Sequence, residues 1–113
     1  MKTIELKCRQ RINNDGILVH EVYYLYYKIH NEHGPAIRIW NSEGSLVTEA
    51  YCLNGEYHNE NGPSLREWDD SGRLVKEQYH KYGLFHNEHG PAFTICYKDT
   101  DYLSFLNKEE YWL

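Results

Sequence analysis

The chain has 113 residues, a formal net charge of -5, and 11 tyrosines against three phenylalanines and one methionine. Its length fits one domain with a modest core. The acidic balance excludes general nucleic-acid backbone binding, which needs clustered Lys and Arg to displace counterions. No stretch approaches the roughly 18 apolar residues that cross a bilayer and no apolar run opens the chain, so a cytoplasmic protein without membrane contact is expected.

Taken in order, residues 1–22 read as the second half of a repeat unit. Gly16, Leu18, Val19 and Glu21 recur 28 residues later as Gly44, Leu46, Val47 and Glu49, and again as Gly72, Leu74, Val75 and Glu77. Fuller units follow over 23–50, 51–78 and 79–106, with a terminal strand at 107–113. The most regular stretch, His30-Asn31-Glu32-His33-Gly34-Pro35, returns as His58-Asn59-Glu60-Asn61-Gly62-Pro63 and as His86-Asn87-Glu88-His89-Gly90-Pro91. A fixed period of this size means one supersecondary unit stacked several times.

Within a unit, the alternation over 36–40 predicts a strand, closed by the turn signal Asn41-Ser42-Glu43-Gly44 and its copy Asp69-Asp70-Ser71-Gly72. A return strand is expected over 46–53, running into Asn54-Gly55, a dipeptide suited to the two positive φ angles of a type I′ turn. A short third strand over 56–58 follows, and Gly62-Pro63 interrupts pairing, because proline lacks a backbone donor. Ile29, Tyr57 and Phe85 form an apolar column that Leu113 rejoins. No window shows a 3.6-residue apolar period. The expected fold is all-β: antiparallel hairpins in an elongated twisted sheet with little or no helix. Asp101 and 102–106 break the pattern in the manner of a cap.

The chemistry-bearing residues favour structure and binding over catalysis. Cys8, Cys52 and Cys96 are odd in number, lack a CxxC pair and read as reduced thiols. The repeated histidines invite a metal, but ligands one repeat apart are too distant for bonds near 2 Å to a single ion, so no metal and no cofactor are expected. Their side chains should instead tie down their own turns, as His, Asn and Glu readily do. Glu21, Glu49 and Glu77 look like a ladder in equal environments, whereas acid/base catalysis needs carboxylates in different ones. Tyr23, Tyr51 and Tyr79 suggest a cross-strand aromatic ladder.

Candidate partner-binding residues are Trp40 and Trp68, which share a column and are expected side by side, with the flanking Arg38 and Arg66. Trp and Arg often become interface hot spots. Glu49, Glu77, Asp69 and Asp70 could face a basic partner, and Tyr111 and Trp112 could bury in a dimer.

The segment Tyr51-Cys52-Leu53-Asn54-Gly55-Glu56-Tyr57-His58 and its weaker copy Tyr79-His80-Lys81-Tyr82-Gly83-Leu84-Phe85-His86 resemble the MORN repeat. They are more similar to the divergent MORN-like repeats of the YwqK antitoxin type and to the H-x-x-x-G-P-A repeats of phage and giant-virus proteins. The resemblance spans about residues 16–96. Here the period is longer than in MORN repeats and no basic cluster supports a lipid-binding role. The resemblance implies hairpins whose open faces bind other proteins. The expected function is therefore a non-enzymatic inhibitor that covers a protein partner, antitoxin-like or a phage anti-defence protein such as an anti-CRISPR, in the latter case acting in the host cytoplasm. The alternative is a structural module that assembles through its edge strands, as a homodimer for instance.

Overall fold

Three turns of the same chemistry set the frame. In each, one side-chain oxygen, from Asn13, Asn41 or Asp69, accepts two backbone N–H groups, from the residues two and four positions ahead, at 2.9–3.0 Å. Gly16, Gly44 and Gly72 close these turns at φ 79, 89 and 86°, a region where a Cβ is strained. A β-bulge accompanies each turn, at Arg11/Ile12, Ile39/Trp40 and Glu67/Trp68, as expected of a three-residue hairpin loop with a left-handed glycine.

The computed structural model describes residues 5–88 and 90–95 and the strand Lys108–Glu110. The strands are β1 (Lys7–Ile12), β2 (Leu18–Leu25), β3 (Lys28–Ile29), β4 (Ile37–Trp40), β5 (Leu46–Ala50), β6 (Cys52–Leu53), β7 (Glu56–Tyr57), β8 (Leu65–Trp68), β9 (Leu74–Gln78), β10 (His80–Lys81), β11 (Leu84–Phe85), β12 (Phe93–Ile95) and β13 (Lys108–Glu110). Every pairing is antiparallel. The main sheet has nine strands in the order β1-β2-β4-β5-β8-β9-β12-β13, with β3 on β2, while β6-β7 and β10-β11 form two-stranded sheets. The described residues contain no helix, so the fold is all-β.

The return strand expected over 46–53 is divided. β5 ends at Ala50, Tyr51 donates its N–H to Ser64 O at 2.7 Å, and β6 then pairs with β7 instead of the main sheet. The cause is local: Asn54 at φ 52° and Gly55 at φ 84° turn the chain back on itself after two residues, which pairs β6 with the strand next in sequence. Gln78 and His80 mark the same break in the following unit.

These small hairpins cover one face of the main sheet. The cross-strand row Val22, Ile37, Ala50, Leu65, Gln78 and Phe93 lies on that face. Ala36, Ala50, Cys52 and Leu65 form the buried cluster, with Ile29 and Ile37 packed against it. Farther along, Tyr57, His80, Phe85 and Phe93 make a run of ring contacts with successive centroids 5.1, 4.4 and 5.8 Å apart. The Ile29/Tyr57/Phe85 column is thus where hairpins meet sheet, with Ile29 and Phe85 half-buried and Tyr57 more exposed. Tyr23, Tyr51 and Tyr79 are not cross-strand neighbours. Backbone bonds set Tyr23 against Ala36, Tyr51 against Ser64 and Tyr79 against Ala92, so large rings alternate with small residues. Leu113, Cys96, Asp101 and the stretch 102–106 lie outside the described residues.

Candidate functional site

The repeated His-Asn-Glu segment works as a latch between successive units. His30 Nδ1 accepts the N–H of Asn54 at 2.9 Å, and His58 Nδ1 accepts that of Tyr82 at 2.9 Å, so each ring holds the hairpin turn of the next unit. Beside it, Gly55 N–H donates to Ile29 O and Gly83 N–H to Tyr57 O, both at 2.8 Å, while Asn31 N–H donates to Cys52 O and Asn59 N–H to His80 O. With Nδ1 accepting, the neutral ring carries its proton on Nε2, which faces Glu32 at 3.3 Å in one unit and Glu60 at 3.0 Å in the next. The asparagines act inside their own loops: Asn31, Asn59 and Asn87 donate to the carbonyls of Pro35, Pro63 and Pro91. The expectation that all three residue types tie down their own turns therefore holds for asparagine and is corrected for histidine.

On the face opposite the hairpins, the expected glutamate ladder alternates with arginine. The row runs Gln10, Glu21, Arg38, Glu49, Arg66, Glu77, Thr94 across seven strands. Arg38 Nη1 lies 3.5 Å from Glu21 Oε1, and Arg66 Nε donates to Glu77 Oε2 at 3.1 Å. Gln10 Nε2 donates to Glu21 Oε2 at 2.8 Å. The environments are unequal, because Glu21 is buried and Glu77 half-buried. Burial and the Glu77 charge push the Tyr79 phenol above its usual range.

Trp40 and Trp68 are both half-buried at the bulges, opposite Leu46 and Leu74. They are not side by side: β5 runs between their strands, a separation of two strand spacings, about 10 Å. Asp69 organises its turn, and its carboxyl is held below the usual range by the Ser71 hydroxyl and the Arg73 N–H. Asp70 accepts from Asn41 Nδ2 at 3.2 Å, joining neighbouring turns. The ten candidates are thus dispersed, with Arg38, Arg66, Glu49 and Glu77 in one row, the tryptophans and aspartates at the turn end, and Tyr111 and Trp112 outside the described residues.

No family model, curated protein or solved structure significantly matches this chain. Its chemistry is read from its own groups. Ser64 Oγ and His80 Nδ1 are 2.6 Å apart, a spacing found in nucleophilic pairs, but Ser64 is 0 % exposed and its hydroxyl also reaches Gln78 O at 3.1 Å. The self-consistent arrangement has His80 donating to Ser64 and Ser64 donating to Gln78, inside the core. Burial pushes the Cys52 thiol up to about 11, so it stays protonated at neutral pH. Among the described residues, no three His, Cys, Asp or Glu side chains are grouped to hold a metal ion.

Two further features stand out. One is an open groove of about 700 Å³ between the loops at Asn59–Pro63 and Asn87–Pro91, floored by Arg66, Glu77 and Tyr79. The other is the tip of the first hairpin, where Tyr26 is 71 % and Tyr27 100 % exposed at φ 50 and 66°. The signal was present in the repeat, since Tyr26-Tyr27 occupy the columns of Asn54-Gly55 and Tyr82-Gly83. Tyr82 and Leu84 add exposed apolar surface at the third tip.

Proposed function

We propose that this chain is a non-enzymatic protein-binding module, of inhibitor type, that works by covering the surface of a partner protein. The observation that carries this is the Tyr26-Tyr27 tip. Non-glycine residues in the left-handed region cost on the order of 1 kcal/mol or more each. Tyr27 is wholly solvent-exposed, so no contact within the described fold offsets that cost. An exposed aromatic pair at a hairpin turn is the kind of group that anchors protein interfaces.

Two further observations support binding over catalysis. The imidazoles of His30 and His58 are engaged in the latches, and Ser64 and Cys52 are buried. The row of alternating Glu and Arg on the face opposite the hairpins, Arg38, Glu49, Arg66 and Glu77, with Trp40 and Trp68 at its turn end, suits a second contact with a partner of mixed charge. The likeness to antitoxin-type and phage repeats supports the inhibitor class.

Affinity capture from the cytosol of the source cell or its host, with mass spectrometry, tests this. The immobilised wild-type chain should retain a stoichiometric protein, and Tyr26→Asn/Tyr27→Gly, which installs the Asn-Gly turn of the second hairpin, should lose it while remaining folded. Recovery of no such protein, or equal recovery by the variant, would overturn the proposal.

A further inference from the structure

Strand β1 ends the main sheet, and among the described residues it pairs only with β2. All six of its residues are exposed, so its outer edge offers unpaired backbone donors and acceptors. Such an edge is a template for another strand.

The side chains along it have a definite charge pattern. Lys7, Arg9 and Arg11 alternate with Cys8, Gln10 and Ile12, which places all three cations on one face. That face is the one carrying Tyr24, Val22 and His20, their register partners on β2. Arg9 stands over the Tyr24 ring, with its guanidinium carbon 5.9 Å from the centroid. Arg38, Arg66 and Lys81 are paired with glutamates, whereas among the described residues Lys7, Arg9 and Arg11 make no ion pair; Lys28, Arg73 and Lys76, which make none either, lie outside β1. Three uncompensated cations on one strand face of a chain of net charge -5 form a local site that attracts a negative ligand.

A second copy of β1 does not meet this requirement. Two-fold antiparallel pairing keeps the same face upward in both copies, and it would set Lys7, Arg9 and Arg11 of one copy against the same residues of the other, a destabilising arrangement. An edge guarded only against aggregation commonly uses lysine. Two of these three cations are arginines, whose planar forks match carboxylates in a bidentate manner.

We propose that β1 receives an extended acidic segment of a partner protein, added as an antiparallel strand with carboxylates at alternate positions opposite Lys7, Arg9 and Arg11. The main-chain ladder supplies the affinity and the alternate carboxylates set the register. This goes beyond the aromatic tip as a contact. It rests on the protein-binding reading only in taking the natural ligand to be part of a protein.

The probe is a short synthetic peptide alternating glutamate and valine, titrated into the full chain and followed by backbone amide NMR. The expected result is saturable binding with shifts centred on 7–12, and weakening as salt is raised. The same peptide N-methylated on alternate residues along its pairing edge should bind at least tenfold more weakly, as should a lysine-valine peptide. Arg9→Glu/Arg11→Glu, checked for an unchanged melting temperature, should lose binding to a similar degree. Tyr26→Asn/Tyr27→Gly should bind the peptide as the wild type does, which separates failure here from failure of the tip. The inference is overturned if the N-methylated peptide binds equally well, which would mean charge attraction without strand pairing. It is also overturned if the shifts map away from β1, or if no peptide binds, leaving the cations only as guards of the edge.

Discussion

The first and second hairpin tips share a backbone shape and differ in what lies against them. Gly55 in the second tip is held against the first hairpin, its N–H on Ile29 O, and a Cβ there would meet the Cβ of Lys28 at 3.9 Å. Gly83 in the third tip sits closer still, facing Glu56. Tyr27 occupies the same column in the first tip with its whole surface in solvent. Glycine thus stands where one hairpin stacks on another, and the described structure shows no such neighbour for Tyr27. The left-handed conformation is common to all three tips, but only the first places two bulky side chains in it; the open space around Tyr27 permits this, and binding would explain it.

The most damaging way to break this comparison is to remove the latch. His58→Ala should delete the acceptor for Tyr82 N–H, the buried ring itself and its contact with the Tyr82 ring at 4.3 Å. A loss of about 2–4 kcal/mol is expected in chemical denaturation, from the cavity and the unsatisfied donor together. Glu60→Ala, on the exposed carboxylate that faces His58 Nε2 and Lys81 Nζ, should change stability by less than about 1 kcal/mol, because contacts to solvent-exposed carboxylates contribute little. Similar losses from both substitutions would mean the His58–Glu60 contact, and not the Nδ1 bond, holds the units together.

A milder break makes the third tip resemble the first. In Gly83→Tyr, the new Cβ would fall 2.5 Å from Glu56 Oε2, but that oxygen ends a flexible chain and can swing away. Most of the cost is then the left-handed backbone at φ 82°, about 1–2 kcal/mol. Placing Gly83→Tyr in a Glu56→Ala background separates the contributions: the loss should fall only slightly, and full recovery would assign the effect to the clash.

The reverse exchange sharpens the comparison. Tyr26→Asn/Tyr27→Gly should raise stability by about 1 kcal/mol, relief of strain being partly offset by glycine's greater freedom in the unfolded chain. In a chain of this size that is a rise of roughly 4 °C in melting temperature. A stabilised variant that no longer retains its partner would show a strained functional site. A destabilised one would show that the tyrosines pack against something within the chain.

The columns already contained much of this. The turn residues Asn41 and Asp69, the Asn54-Gly55 hairpin and the apolar column Ile29/Tyr57/Phe85 were legible because each obeys a local rule of turn chemistry or alternation. The latch was not, because a 28-residue period reports that His30 and His58 are equivalent without reporting which unit each touches. The same limit made the glutamates look like neighbours. In an antiparallel sheet, equivalent positions sit on every second strand, so the residues that interleave with Glu21, Glu49 and Glu77 come from the opposite half of the unit, here Arg38 and Arg66. The tryptophan and tyrosine columns are separated for the same reason. The Tyr26-Tyr27 tip was visible as a departure from Asn-Gly, but its exposure depends on no other hairpin stacking against it, which the repeat does not report.

The smallest effect concerns a column in which the hairpins differ chemically, Cys52 in the second and His80 in the third. Burial lowers the pKa of His80 from its ordinary value, because a charged imidazole is disfavoured between the rings of Tyr57 and Phe85. The unfolded chain, with the ordinary value near 6.5, therefore binds the proton first as pH falls. Stability should be level above about pH 6.5 with respect to this group. It should decline as pH drops toward the lower folded value, and become level again below it. His80→Cys, which copies the second hairpin into the third and leaves Ser64 its bond to Gln78 O, should reduce the difference in melting temperature between pH 7.5 and pH 5. If wild type and variant decline in parallel, the acid sensitivity resides in groups common to all the hairpins, and the buried Ser64–His80 pair is neutral to pH.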